Sequence, residues 1–157
     1  MVDDKFLQQI KLFGELKAFE WEELSKVIKE QNYVEGDVIF SEGDASTELY
    51  MVSKGEVEIT IKIAPQLGDS TVYVVRPYDI FGEFAFVDPK PRSASARCTK
   101  DSTLAIMRRA DFEDLAKQFP QIGLNFYRSL VRLLSERLRR MNLYLKETFT
   151  RCAGLEI

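Results

Sequence analysis

The sequence predicts an α+β fold, mainly β: a β roll or jelly roll flanked by N-terminal helices and a long C-terminal helix. Three observations predict it. Apolar residues recur at helical spacing at both ends of the chain. In the middle, apolar and polar residues alternate with the period of a strand. Glycines at 36, 43, 55, 68 and 82 punctuate that middle at the intervals expected of short strands. A chain of 157 residues suits one domain and can bury about 70% of its unfolded surface.

The helical lead-in spans 3–31. Phe6, Ile10 and Phe13 mark one apolar stripe; Trp21, Leu24, Val27 and Ile28 mark a second, with Gly14 between them. The β roll spans 33–108. Its clearest strand has Val57, Ile59, Ile61 and Ile63 alternating with Glu58, Thr60 and Lys62, the pattern of a half-buried strand. Helices fill 110–148. Asp111 is placed to cap a short helix containing Phe112 and Leu115. Pro120 breaks that helix and suits the first turn of the next. From 120 to about 148 the last helix would run roughly 40 Å. Residues 1–150 thus read as a single domain and 151–157 as a flexible tail. There is no internal repeat, so one ligand site per chain is expected.

Composition narrows the function. The net charge of −3 argues against a general nucleic-acid binder. The chain has no histidine, which removes Ser-His-Asp and Cys-His nucleophile systems and histidine-based zinc sites. Its two cysteines, Cys98 and Cys152, lack CxxC spacing and suit a reduced, cytoplasmic protein. The N-terminus is acidic and has no apolar signal core. No apolar run approaches the ~20 residues of a membrane-spanning helix. No metal, cofactor or catalytic group is expected, and the chain reads as a non-enzyme.

The stretch 81–95 (FGEFAFVDPKPRSAS) carries the most chemistry. Gly82 lets backbone amides approach an anion closely. Arg92 can grip a phosphate through a planar fork of donors. Glu83 is an acceptor that suits a sugar hydroxyl. A ligand that combines a phosphate, a ribose hydroxyl and a flat base is a cyclic nucleotide. Taken singly, Glu83 reads as a helix-capping carboxylate and Arg92 as its partner. Together with Gly82, Pro91 and Ala94 they read as a ligand site.

Phe81-Gly82-Glu83, Phe84-Ala85-Phe86 and Pro91-Arg92-Ser93-Ala94-Ser95 resemble the phosphate-binding cassette of the cyclic nucleotide-binding domain family, of the bacterial activator and kinase regulatory-subunit type. Residues 34–40 with 42–44 resemble that family's first hairpin. Residues 49–52 with Gly55 and Val57 resemble its next strand pair, and 12–16 its helical lead-in. The resemblance covers about 10–145. It implies that Arg92 pairs with the exocyclic oxygens of a cyclic phosphate, that backbone N–H groups near Phe84, Ala85 and Ala94 add donors, and that Glu83 accepts from the ribose 2′-hydroxyl. Gly82 would let the backbone turn against the sugar. Ile59, Val72 and Tyr73 fall where members line an apolar slot for the purine, although they would be sheet core in any β roll. In the family, threonine at the position of Ser93 goes with cGMP and alanine with cAMP, while serine occurs in a cAMP-responsive activator; Ser93 therefore favours cAMP without excluding cGMP. Tyr78 stands where many members have glycine. Arg137 falls where the last helix meets the base; it could stack there or remain solvated.

The last helix carries a seam as well. Tyr127, Leu130, Leu134, Leu138, Met141 and Leu145 recur at steps of three and four, which predicts a parallel homodimer. Only residues 151–157 follow it, too few for a DNA-reading module. The resulting expectation is a stand-alone cytoplasmic sensor. It would bind a cyclic nucleotide, reposition its C-terminal helix and act on an unidentified downstream protein, with neither DNA nor membrane contact. The alternatives are an interaction module that kept the fold but lost the ligand, and the sensor part of a truncated transcription regulator.

Overall fold

The computed structural model describes residues 2, 4–64 and 68–154. Helix α1 (Asp4–Gln9), a 3-10 turn (Lys11–Phe13) and α2 (Ala18–Lys26) precede the strands. Then come β1 (Ile28–Tyr33), β2 (Val38–Phe40), β3 (Leu49–Lys54), β4 (Val57–Ala64), β5 (Gly68–Val75) and β6 (Ile80–Phe81). The short α3 (Glu83–Val87) separates β6 from β7 (Ser95–Cys98) and β8 (Ser102–Met107). Helices α4 (Arg109–Gln118) and α5 (Pro120–Cys152) follow. The strands pair antiparallel in two sheets, ordered β1-β8-β3-β6 and β2-β7-β4-β5. The mainly β, α+β roll predicted from the sequence is the fold observed.

Two apolar cores explain why β3 reads as a continuous apolar run. Tyr50 and Val52 face into the roll with Phe40, Val57, Ile59, Phe81 and Leu104. Leu49 and Met51 face the helices, among Phe13, Trp21, Phe86, Phe112 and Phe126. A strand buried on both faces cannot alternate. The helical core is largely aromatic, with Phe86, Phe112 and Phe126 in mutual contact at centroid distances of 4.2–5.6 Å. That cluster joins α3, α4 and α5, so the cassette helix and the C-terminal helices share one packing unit.

The sequence expectations need correcting at several points. Residues 28–31 are strand, not helix: Ile28 pairs with Met107 and Gln31 with Leu104. Lys29–Gln31 are exposed, so the segment has no apolar face to hold as a helix, and edge pairing to β8 satisfies its backbone. The first stripe is not one helix either, because Ile10 is extended (φ −78°, ψ 117°), although Phe6, Ile10 and Phe13 all remain buried. Within β4 the inward alternation ends at Ile59. Ile61 and Ile63 are exposed because β7 pairs only with Val57–Thr60, and register shifts interrupt the β4–β5 pairing beyond. Asp111 is not the cap of α4. The helix begins at Arg109, and Asp111 lies in its first turn, gripping Arg108 through Nε and Nη2 at 2.7 and 2.9 Å. Pro120 does open α5, which continues past 148 to Cys152, so Arg151 and Cys152 are helical and not tail. Residues 155–157 lie outside the described residues. The helix has 33 residues, about 50 Å.

Candidate functional site

Gly82 ends β6 with φ 77°, in the left-handed region that glycine adopts without strain. Space also requires glycine there, because a Cβ would lie 2.8 Å from Arg92 Nη1 and 3.0 Å from the Glu48 carbonyl oxygen. The chain then enters α3. Ala85 and Phe86 are buried, and Phe84 projects outward. First-turn amides of a helix have no intrahelical acceptor, so those of Phe84 and Ala85 suit an anion.

After α3 the loop returns through Pro89 and Pro91 to Arg92, whose backbone is tied to the β2–β3 loop. The Arg92 N–H donates to the Asp44 carbonyl and the Gly43 N–H to the Arg92 carbonyl, both at 2.8 Å. The Arg92 side chain passes inward and is only 3% exposed. Its guanidinium lies over the Phe40 ring at 4.1 Å, with Tyr50 at 5.7 Å. Nε donates to Ser46 Oγ at 2.8 Å, Nη1 to the Gly82 carbonyl at 2.9 Å and Nη2 to the Glu48 carbonyl at 2.9 Å. The Glu48 carboxylate stands 3.4 Å from Nη2. Burial pulls the guanidinium below its ordinary value, with Tyr50 and the Glu48, Asp44 and Glu83 carboxylates opposing.

Glu83 is also buried, at 3% exposure, and pairs with Arg137 of α5. Arg137 donates through Nη2 to the Ile80 carbonyl at 2.7 Å and lies 5.6 Å from the Tyr73 ring centre. Desolvation and then the Glu83 carboxylate push the Tyr73 phenol up to about 12, although part of the residue is open to solvent. Tyr73 pairs with buried Ile59 across the β4–β5 ladder.

The structure therefore brings Gly82, Glu83, Arg92, Arg137 and Tyr73 to one region, with Ile59 beneath. Ala94 is partly buried against the roll core. Val72 sits at the irregularity between the Tyr73 and Thr71 pairings and is exposed, so its side chain is not part of a closed wall. Ser93 is exposed. Arg137 was expected either to stack on a base or to be solvated; instead its fork is committed to Glu83 and Ile80. Tyr78 takes the left-handed conformation (φ 73°) that glycine would favour, in the turn closed by the Asp79 N–H on the Arg76 carbonyl at 3.0 Å. Its ring packs on Phe6 at 5.9 Å, which anchors the strained residue. The residues missed from the sequence are Ser46 and Glu48, the acceptors around Arg92. They lie some forty residues away, and only the fold over of the β2–β3 loop reveals them. Among the described residues there is no cluster that could hold a metal and no helix long and apolar enough to cross a membrane.

The site is thus a buried arginine beside a glycine-initiated short helix, on a two-sheet roll backed by a long C-terminal helix. The family model described as "Cyclic nucleotide-binding domain" matches residues 30–119, and the chain belongs to that family. It is 28% identical over 139 residues to a CRP-like cAMP-activated global transcriptional regulator of Mycobacterium tuberculosis, covering 88% of this chain and 60% of that protein. It is 30% identical to a cAMP-dependent protein kinase regulatory subunit of Hypocrea atroviridis, covering 71% of this chain and 23% of that one. Among solved structures, a cyclic nucleotide-binding domain from Methylobacillus flagellatus superposes with a TM-score of 0.78 at 26% identity, covering 87% of this chain and 80% of that one. The chain thus spans less than two thirds of the length of both full-length relatives.

Removing Arg137 leaves the Glu83 carboxylate buried without its cation. Arg137→Ala is expected to cost about 2 kcal/mol of stability, less than a fully buried pair because Arg137 is partly exposed. The Glu83→Gln/Arg137→Ala double variant should recover much of that loss in chemical denaturation. Equal losses in the single and double variants would contradict the pairing.

Proposed function

We propose that this chain is a regulatory domain that binds a cyclic nucleotide, cAMP in preference to cGMP, and transmits occupancy to its C-terminal helix. One observation carries the reading. The Arg92 guanidinium is held almost wholly out of solvent by neutral acceptors beside Gly82 and the start of α3, and among the described residues one carboxylate, the partly exposed Glu48, is in range. A buried cation neutralised so thinly suits an anionic ligand. Glu83, the residue after Gly82 and buried against Arg137, would supply the acceptor for a ribose hydroxyl. The names of the mycobacterial and fungal relatives, both referring to cAMP, support the base preference, as does Ser93.

The Glu83–Arg137 pair supplies the route to α5. A ribose hydroxyl on Glu83 changes what Arg137 meets, and Arg137 sits midway along the helix. Ligand binding then shifts the balance between two positions of α5.

The helix also supports a homodimer. Leu130, expected on the seam, is instead buried in the helical core. The exposed register is Leu124, Val131, Leu138 and Leu145 at steps of seven, with Tyr127, Leu134 and Met141 interleaved at steps of three and four, the a and d positions of a parallel coiled coil. Val131, Leu138 and Met141 are more than half exposed in the single chain. The same register places Cys152 at an a position.

Arg92→Leu, which keeps an apolar side chain beside Phe40 and Tyr50, should weaken cAMP binding by about a hundredfold or more in calorimetry while unfolding remains cooperative. Wild-type affinity in that variant would overturn the site. Sedimentation at micromolar concentration should give a dimer, and mild oxidation should cross-link it through Cys152. A monomer would overturn the helix-paired arrangement.

A further inference from the structure

The acceptors around Arg92 are not equivalent. Ser46 Oγ and the carbonyls of Gly82 and Glu48 are neutral and lie at 2.8–2.9 Å. The Glu48 carboxylate is charged, stands farther off at 3.4 Å, and belongs to a side chain 32% exposed, against 2% for that of Arg92. We propose that this carboxylate is a placeholder anion: it neutralises Arg92 in the unliganded protein and is displaced by the phosphate of the ligand. The inference rests on the cyclic-nucleotide reading above.

Charge is the first argument. Among the described residues Glu48 is the carboxylate within ion-pair range of Arg92. The other acids nearby are engaged elsewhere, Asp44 by the Ser41 N–H at 2.8 Å and Glu83 by Arg137. A guanidinium so deeply buried is strongly disfavoured without a countercharge, and a side chain from the rim is the simplest source. Geometry is the second argument. The main chain of Glu48 holds Nη2 independently of its own carboxylate, so the side chain can leave while the fork stays in place. The longest contact, to the partly exposed Glu48 carboxylate, is the one an incoming singly charged phosphate displaces at least cost, because it exchanges one anion for another on the same donor.

Two effects of opposite sign follow. Neutralising Glu48 removes the competitor and strengthens ligand binding, and it also removes the countercharge and weakens the unliganded fold. A residue that merely positioned Arg92 would lower both. The Ser46 hydroxyl, by contrast, is a positioning group, and its loss should weaken binding.

The test is calorimetric titration of the full chain with cAMP, together with thermal unfolding of the unliganded protein. The variants are Glu48→Gln, Ser46→Ala and, as a control, Glu42→Gln, whose carboxylate accepts from the Lys62 N–H and not from Arg92. Glu48→Gln should bind about two- to fivefold more tightly, as expected of a partly exposed pair, and melt at a lower temperature without ligand. Glu42→Gln should match wild type, and Ser46→Ala should bind more weakly. Unchanged or weaker binding by Glu48→Gln overturns the placeholder, as does an equal gain in Glu42→Gln, which would reflect the general field. Failure of the wild-type chain to bind any cyclic nucleotide overturns the functional reading itself.

Discussion

The burial of the Arg92 guanidinium organises the cassette around it. A planar cation lying over the Phe40 ring needs acceptors in its own plane, and Ser46, Gly82 and Glu48 provide them from two separate loops. Meeting that need explains why residue 82 has no side chain, why the backbone of Arg92 is stitched to Gly43 and Asp44, and why β2 and β3 are joined by a loop that folds over the site. Each feature would be costly alone; together they leave a charge fixed in position before any ligand arrives. Fixing donors in advance reduces the ordering cost of binding.

The same cassette is fastened to the C-terminal helices in two chemically different ways. Phe86 packs with Phe112 and Phe126, so α3 shares a core with α4 and α5. Glu83, three residues earlier, meets Arg137 some way farther along α5. The apolar contact is insensitive to a polar ligand. The ionic one involves the carboxylate that a ribose would approach. Under the proposed function, such a division would let the root of α5 stay docked while its middle responds to the ligand.

Much of this was legible in the sequence because it is local. Gly82, Glu83 and Arg92 fall within one short stretch, and the roll announces itself through glycine spacing and the Val57–Ile59 alternation. Long-range physics hid the rest. Lys29–Gln31 carry no strand signal of their own and become β1 because β8 offers an edge. Ile61 and Ile63 continue the alternation but extend beyond the strand that would cover them. Arg137 looked free until the fold brought Glu83 to it across more than fifty residues. Ser46 and Glu48 read as an ordinary polar loop, since nothing in their own neighbourhood shows that a buried arginine will need them. Tyr78 was visible as a non-glycine in a turn, but its compensation by Phe6 was not.

The central claim is that the buried arginine and its glycine-led helix form a site for a cyclic phosphate. Thermal unfolding with cAMP, and with 5′-AMP as the open, more highly charged control, tests it most directly. At one hundred times the dissociation constant a ligand adds about 2.7 kcal/mol, which for a chain of this size is a rise of roughly 5–10 °C. The account predicts that rise with cAMP and little or none with 5′-AMP at the same concentration. No shift with cAMP at millimolar concentration, or an equal shift with both nucleotides, would contradict it.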